Sequence, residues 1–355
     1  GGHRARPRMA KGTPTRPGAQ ADQLRLLVAG DKSHCGKSTV SLGLLASLLD
    51  LGFAPSELAY IKPATQCVST TLTAKFCEST GIDYVHVGPV VFYRNFTREF
   101  LDGKHGTPAE LVARCVSAVE AIAVGKRALV IDGVGYPTVG SIVGCSSVDI
   151  ALACRARVLL VGKSGVGDAV DSFNLCAAVF EQRGVPILGA VFNKLPLTGA
   201  YSLERCGEYV RKYFASRRPT QRVYGLIPST DSLAAVAGEE TCGFSFSHPN
   251  PQNHVIRVEP MSAADREAVA QISALFAQHV DVPSVIADAR AAAGASDVAI
   301  ARASALELLS AEPSTLVRQP AALVWVVLTA LAAHAIHMLL AVGKAFGVGG
   351  GGAKR

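Results

Sequence analysis

Residues 24–39 read LRLLVAGDKSHCGKST, and this stretch decides the fold of the 355-residue chain. The apolar run Leu24–Ala29 predicts a buried strand, since a short continuous apolar segment bounded by glycine is typical of one. Gly30–Thr39 is a loop with two glycines that ends in Gly-Lys-Ser-Thr. Leucines then recur at helical spacing as far as Gly52, which predicts the end of a helix. The stretch therefore predicts a strand, a loop and a helix in direct succession.

A glycine-containing loop that joins a strand to a helix and ends in Gly-Lys-Ser has the context of a P-loop. Backbone N–H groups of such a loop and of the helix N-terminus bind phosphate oxygens. We expect Lys37 to reach the β- and γ-phosphates of ATP, the Ser38 hydroxyl to ligate Mg²⁺, and Thr39 to lie near the α-phosphate. The predicted nucleotide-binding residues of the loop are Gly30, Ser33, His34, Cys35, Gly36, Lys37, Ser38 and Thr39.

The loop departs from the standard motif in its spacing and in one lysine. Five residues, rather than four, separate its two glycines, and Lys32 lies five positions before Lys37. A lysine at that position resembles the signature of deviant P-loop ATPases, which dimerise face to face so that this lysine reaches the partner's nucleotide. The two glycines that usually follow it are Ser33 and His34 here. Lys32 is therefore a candidate for a role across a homodimer, and the alternative is a local role.

Beyond the loop, the chain alternates between apolar strand patterns and helical patterns. The further predicted strands are Leu58–Ile61, Arg127–Asp132, Ala156–Val161, Ile187–Phe192 and Arg222–Ile227. The further predicted helices are Glu110–Ala123, Ser147–Ala153, Ala169–Arg183 and Leu203–Phe214. Strands separated by helices form a mostly parallel sheet with helices on both faces, and ligands bind at the carboxyl ends of the strands. The sequence thus predicts an α/β P-loop NTPase fold.

Four candidate site residues lie at or after the ends of these strands. Asp132 ends a strand expected beside the P-loop strand, so its carboxylate is a candidate to hold Mg²⁺ directly or through water. Lys62, fixed by Pro63, is a candidate to orient an anionic substrate or to stabilise transferred charge. Asn193 is a candidate to read the adenine edge, and Pro228 is a candidate wall of the adenine pocket. The alternative for each is an ordinary turn or loop residue.

The order of these motifs resembles the dethiobiotin synthetase-like P-loop proteins, which include the synthetase half of cobyrinic and cobyric acid synthases. The motifs that carry the resemblance are GxxxxxGKS, Lys62-Pro63, the DGVG after a strand, SGVGD at Ser164–Asp168, Asn193-Lys194 and GLIP. Two stretches, FTREFLDGK at Phe96–Lys104 and GVGYPTVGS, look most like those of one branch of these proteins. The members of that branch resemble the N-terminal ATPase domain of long phosphate acetyltransferases. The resemblance covers about residues 24–240.

The resemblance implies a chemistry and a set of roles. In dethiobiotin synthetase, ATP phosphorylates a carbamate made from a diamine and CO₂, and the second amine closes a ring. By resemblance, Lys37 and Lys62 would stabilise phosphoryl transfer, Ser38 and Asp132 would hold Mg²⁺, and Asn193 would bind adenine. The chain departs from the family at two positions, since the family has an acidic residue at position 32 and Glu at position 132.

Two functions of different classes therefore remain open. The first is an ATP hydrolase or ligase that activates a small carboxylate or carbamate, with Lys37, Lys62 and Lys32 as candidate catalytic residues. The second is an ATP-switched, dimeric, membrane-attached ATPase that recruits partners and has no small-molecule substrate. Lys62-Pro63 and the loops at the strand ends favour the first function. Lys32 and an apolar segment near the C-terminus favour the second.

The C-terminal third differs from the body. Residues 243–318 are expected to be a linker and a helical extension, with helical patterns over Ala263–Val280 and Val282–Leu309. Residues 320–343 form an apolar segment, whose first 23 residues include no Asp, Glu, Lys or Arg. A helix of that length crosses a bilayer core, so the segment is a candidate membrane anchor. The alternative is a buried or partner-covered helix. Residues 344–355 are expected to be a flexible tail.

The charge of the chain is concentrated at its ends. Of 35 Lys and Arg residues, five lie in residues 1–20 and three in residues 344–355, where no acid is present. The remainder holds 27 basic against 28 acidic residues, so its field gives no reason to expect nucleic-acid binding. Residues 1–22 are expected to be a disordered basic segment, compatible with organelle import. The nine cysteines show no CxxC pair and are expected to be reduced, as in an intracellular protein.

Overall fold

The centre of the protein is a seven-stranded sheet in which all neighbouring strands are parallel. The computed structural model describes residues 23–66, 68–229 and 257–292. The strands are β1 (Leu24–Gly30), β2 (Leu58–Ile61), β3 (Ala64–Thr65), β4 (Asp83–Val85), β5 (Val90–Val91), β6 (Ala128–Asp132), β7 (Arg157–Gly162), β8 (Ile187–Leu195) and β9 (Arg222–Pro228). The order in the sheet is β4-β2-β6-β1-β7-β8-β9, and β3 pairs separately with β5.

Helices cover both faces of the sheet. They are α1 (Lys37–Asp50), α2 (Leu72–Thr80), α3 (Phe96–Leu101), α4 (Pro108–Ala123), α5 (Ser147–Ala153), α6 (Gly167–Gln182), α7 (Leu203–Arg217) and α8 (Ala263–His279). Residues 282–292 are also helical. Buried side chains of α3 to α7 form one apolar layer with the sheet, and those of α1, α2 and α8 form the other. This is the predicted P-loop NTPase fold, and the expectation of a helical C-terminal extension is confirmed.

Strand β1 shows why the sequences of the central strands are continuous apolar runs. Successive side chains of a strand point to opposite faces, and both faces of this sheet are covered. Leu27 therefore packs in the layer of α3 to α7, whereas Leu26 and Val28 pack in the layer of α1, α2 and α8. Because β1 lies between β6 and β7, its carboxyl end is the point where the strand order changes direction. Ligands of open α/β sheets bind at such a point.

The predicted strands and helices agree with the structure except in one region. The six predicted strands correspond to β1, β2, β6, β7, β8 and β9, and the predicted helices to α1 and α4 to α8. The sequence analysis assigned no element between residues 62 and 107, where the structure has α2, α3 and the strands β3, β4 and β5. Those strands are two or three residues long, so neither alternation nor an apolar run could reveal them.

Helix α8 packs directly on the P-loop helix α1. The Phe276 ring is fully buried against Gly43 of α1, where an added Cβ would overlap the ring. Lys75 of α2 forms an ion pair with Asp265 of α8 at 2.9 Å. Val280 then makes an isolated antiparallel bridge to Gly225 in β9. The extension is therefore part of the second apolar layer.

Several expectations fall outside the described residues. These are the disordered segment 1–22, the linker within 243–256, the part of the helical extension over 293–318, the apolar segment 320–343 and the tail 344–355. Among the helices that the structure describes, none combines the length and the apolarity that a membrane span requires. The seven described cysteines are all buried free thiols, as expected for reduced cysteines.

Substitution of Gly43 by Ala tests the packing of α8 on α1. Alanine favours a helix over glycine by about 1 kcal/mol, but overpacking against Phe276 costs about 1–3 kcal/mol. We expect Gly43→Ala to lower the free energy of unfolding by about 1 kcal/mol, measured by urea denaturation. The loss should shrink when Phe276 is also changed to Leu. Gly167→Ala is the matched control, because open space surrounds that glycine. If the effects of Gly43→Ala and of the Phe276 to Leu change on the free energy of unfolding were purely additive, the contact between the two residues would be contradicted.

Candidate functional site

The P-loop and the carboxyl ends of β2 and β6 line one cavity of about 310 Å³. Every residue of the loop from Ser33 to Thr39 except Cys35 faces it. Lys62, Asp132 and Lys194 face it from the ends of three strands, and polar residues from the segment between β3 and α2 complete the wall. The cavity therefore lies at the edge of the sheet where the sequence placed the site.

The conformation of the P-loop depends on two glycines. Gly36 has φ of 97°, which favours glycine, and it immediately precedes the first residue of α1. An added Cβ on Gly30 would overlap the Cys35 sulfur, which is packed beneath the loop. Burial raises the pKa of the Cys35 thiol, so this cysteine serves as a small neutral side chain under the loop. Both glycines of the predicted motif are thus required by close packing.

Three of the loop residues expected to bind the nucleotide, Lys37, Ser38 and Thr39, lie in the first turn of α1. Lys37 is half-buried at the cavity, and its ammonium donates to the Lys32 carbonyl at 3.5 Å. The Ser38 and Thr39 side chains belong to the first turn of α1, where backbone N–H groups have no helical partner. Thr73 of α2 donates to the Ser38 carbonyl at 3.1 Å and fixes that turn. The arrangement presents a cation and helix N–H groups to the same cavity.

A buried polar cluster lies beside this turn. Asp132 is only 1% exposed, and its Oδ2 accepts from Tyr60 at 2.9 Å and from Ser38 at 3.2 Å. The Lys62 ammonium lies 3.2 Å from the same oxygen and 3.2 Å from Ser38 Oγ. Asp132, Lys62 and Ser38 were predicted from the sequence, whereas Tyr60 was not. Its position inside the apolar run of β2 made it indistinguishable from a core residue.

The cluster fits a magnesium ion that is held mainly by a nucleotide. Asp132 Oδ1 is buried and has no hydrogen-bond partner among the described residues, so one carboxylate oxygen is available to a cation or its water. The described chain shows no group of three His, Cys, Asp or Glu side chains that could hold a metal alone. P-loop sites do not need one, because Ser, Asp, phosphate oxygens and water supply the ligands.

The structure places Asn193 against the P-loop. The predicted strand ended at Phe192, but β8 continues to Leu195, so Asn193 lies within the strand and under the P-loop. Its amide is 5% exposed and donates to the Cys35 carbonyl at 3.0 Å. The described geometry gives Asn193 a hydrogen bond to the loop, and its contact with adenine stays a prediction.

Two other predicted residues also lie away from the cavity wall. Pro228 is the buried last residue of β9, and it does not line the cavity. A wall of an adenine pocket at Pro228 stays a prediction. Lys32 is exposed, and its ammonium makes no hydrogen bond or ion pair within the described part of the chain. Lys32 is not among the residues that line the cavity containing Lys37.

Two residues of the site escaped the sequence analysis. Asp31 Oδ2 accepts from the Lys163 backbone N–H at 3.0 Å and ties the start of the P-loop to the loop after β7. Burial raises the pKa of Asp31 despite that hydrogen bond. Lys194 faces the cavity and donates to the His34 carbonyl at 2.9 Å. Lys194 was noticed only as part of the Asn193-Lys194 motif, since nothing in the sequence shows that β8 passes under the loop.

Removal of the Lys62 ammonium tests the buried cluster. Loss of one partner of a buried ion pair costs about 3 kcal/mol, because the other charge is left without compensation. We expect Lys62→Met to reduce the free energy of unfolding by about that amount, measured by urea denaturation without nucleotide. Adding Asp132→Asn to the variant should recover most of the loss. The control is Lys75→Met, which removes a more exposed ion pair and should cost about 1 kcal/mol. Equal losses in both single variants would contradict the cluster's importance.

Comparisons with known proteins give one family and several distant structures. No curated protein matches the chain. Apo McdA from Cyanthece is 12% identical, with 70% of this chain and 99% of that chain covered and a TM-score of 0.40. A ParA family ATPase from Chlorobium tepidum is 10% identical, with 71% and 98% covered and a TM-score of 0.37. A nucleotide-binding protein from Archaeoglobus fulgidus in complex with ADP is 13% identical, with 66% and 95% covered and a TM-score of 0.33.

Similarity at this level carries no information on function. The family match is of a different kind, since the AAA domain family (AAA_26) matches residues 24–237, which is more than half of the chain. The matched range begins at β1 and includes the P-loop, the buried cluster and every strand of the sheet. The chain therefore belongs to the AAA domain family and to the P-loop NTPase superfamily.

Proposed function

We propose that the protein binds Mg-ATP in this cavity and cleaves its γ-phosphate. The observation that carries the proposal is the cluster of Lys62, Ser38 and Asp132 beside Lys37 at the N-terminus of α1. Cations and helix N–H groups that converge on one cavity are suited to bind and stabilise transferred phosphoryl groups. A buried carboxylate with one oxygen available is suited to hold the accompanying cation.

Each residue would have a distinct role. The Lys37 ammonium would donate to the β- and γ-phosphate oxygens, and Ser38 with Asp132 would hold Mg²⁺. Mg²⁺, when bound, would neutralise negative charge on those oxygens. Lys62, held by Asp132 and Ser38, would stabilise the charge that develops on the transferred group. Because these side chains are already fixed by mutual contacts, little reorganisation would accompany the reaction.

The second substrate in this proposal is a small carboxylate or carbamate, whose oxygen would accept the γ-phosphoryl group to form an acyl phosphate or a carbamoyl phosphate, with ADP as the leaving group. Asp132 is the sole acidic residue among the described residues that line the cavity, and it is paired with Lys62. The lining therefore offers positive charge to an anion and no unpaired carboxylate to the ammonium group of a diamine. The chemistry would be that of the dethiobiotin synthetase-like proteins that the motifs resemble, with a different substrate.

An ATP-switched homodimer is the second candidate function. The observation that favours it concerns Lys32 of the P-loop. This lysine is exposed, and its side chain makes no hydrogen bond or ion pair with the residues that the structure describes. An exposed lysine of the P-loop that does not line its own cavity is available to reach the nucleotide of a facing copy. In that case ATP hydrolysis would depend on dimerisation, and the protein would recruit partners, with attachment to a membrane through residues 320–343.

Lys37→Ala tests nucleotide binding itself. The loss of a charged hydrogen-bond donor to phosphate should weaken Mg-ATP binding about a hundredfold, measured by isothermal titration calorimetry. Lys104→Ala is the matched control, because this exposed lysine lies outside the cavity lining and should leave the Kd unchanged. Unchanged affinity in Lys37→Ala would refute the site.

Phosphate release from Mg-ATP separates the two functions. For an enzyme, release by the full-length protein should rise severalfold when a small carboxylate is added. A diaminocarboxylate with bicarbonate should give less stimulation, because the one acid among the described lining residues, Asp132, already forms an ion pair with Lys62. For a switch, the specific rate should ignore the substrates, rise with protein concentration and fall in Lys32→Ala. If the rate of phosphate release rises with protein concentration but is the same in Lys32→Ala, the role of Lys32 across a dimer is refuted.

A further inference from the structure

Two adjacent side chains at the end of β8 donate hydrogen bonds to backbone carbonyls of the P-loop. The Asn193 amide donates to the Cys35 carbonyl at 3.0 Å, and the Lys194 ammonium donates to the His34 carbonyl at 2.9 Å. We propose that this pair, the β8 clamp, positions the backbone N–H groups of the P-loop for phosphate binding. The inference rests on the Mg-ATP site proposed above and assigns it two positioning residues.

The effect of the clamp follows from the geometry of the peptide unit. In a planar trans peptide, the C=O and N–H groups point in opposite directions. The clamp bonds the carbonyl oxygens of His34 and Cys35 towards β8, so the N–H groups of Cys35 and Gly36 point away from β8. Successive N–H groups directed to one side of a loop form an anion-binding concavity. Fixing them in advance reduces the entropy lost when the phosphates bind.

A bulge at the end of β8 places the two clamp residues. The register of β8 against β9 runs from Phe192 opposite Leu226 to Leu195 opposite Pro228. Three steps along β8 thus match two steps along β9, which is the extra residue of a β-bulge. Bulges of this kind redirect side chains next to active sites. Here the bulge directs Asn193 under the loop while Lys194 reaches the cavity.

The backbone of Lys194 has a strained conformation, and the hydrogen bond of its ammonium gives a reason for a lysine at this position. Lys194 has φ of 60°, a conformation that favours glycine, and His34, whose carbonyl it bonds, has φ of 59°. Strain in a non-glycine residue points to a role for the side chain. Glycine would relieve the strain at position 194 but could not donate to the P-loop. We therefore infer that the lysine is present because its ammonium holds the loop.

Asn193 supplies the second, buried half of the clamp. Its side chain is enclosed between β8 and the P-loop, and an added Cβ on Gly36 would overlap its amide nitrogen. The loop therefore approaches β8 closely only because position 36 is glycine. The two hydrogen bonds and this close approach act on neighbouring peptide units, which is the arrangement expected of a device that sets loop conformation.

Lys194→Gly separates a positioning role from a structural one. In the full-length protein, this change should leave the thermal unfolding midpoint unchanged or higher, because it relieves the positive φ. It should weaken Mg-ATP binding about tenfold in calorimetry, because the loop loses a charged hydrogen bond. Arg155→Gly is the matched control, since Arg155 is also exposed and basic, with φ of 53°, and precedes β7 at the opposite edge of the sheet. It should raise the midpoint similarly and leave the Kd unchanged.

The remaining variants make the outcome decisive. Lys194→Arg retains a cationic donor and should bind Mg-ATP within about threefold of the wild type. Lys194→Met keeps the side-chain stem without the ammonium and should bind as weakly as Lys194→Gly, which covers the case in which the glycine variant does not fold. Wild-type affinity in Lys194→Met would overturn the clamp. A wild-type protein that fails to bind Mg-ATP would instead refute the proposed function.

Discussion

The burial of Asp132 is the constraint on which the rest of the structure depends. A carboxylate that is 1% exposed at the end of a central strand is stable only when charge and hydrogen bonds compensate it. Tyr60 in β2 and Ser38 in α1 donate hydrogen bonds to the carboxylate, and Lys62, just after β2, forms an ion pair with it. The same contacts bring the P-loop helix and two strands to one point. The candidate site is therefore a product of stabilising one buried charge.

The predictable part of the site was the part with a strong local pattern. The P-loop and Asp132 follow or end long apolar runs, so their places at the carboxyl edge could be deduced from strand and helix alternation. Tyr60 could not be recognised, because a polar atom on an aromatic residue is hidden within an apolar strand pattern. The hydrogen bonds of Asn193 and Lys194 to the P-loop could not be predicted, because they depend on a bulge and on which strand passes under the loop. Both are properties of tertiary structure.

The cavity differs electrostatically from the protein around it. The body of the chain is nearly neutral, yet the cavity lining includes Lys37, Lys62 and Lys194 and, in the described part, Asp132 as its one acid. Three ammonium groups around one small cavity attract anions at short range. Each ammonium is also hydrogen-bonded to a backbone or side-chain oxygen of the site. Charge and rigidity are thus supplied by the same residues.

The packing of α8 on α1 has a consequence for the order in which the protein is made. Helix α1 is synthesised more than two hundred residues before Phe276, which covers it at Gly43. Until that residue leaves the ribosome, one face of the nucleotide-binding helix has no partner and stays exposed to solvent or to chaperones. The loop with the most specific sequence signature therefore belongs to the apolar layer that is completed after the layer of α3 to α7.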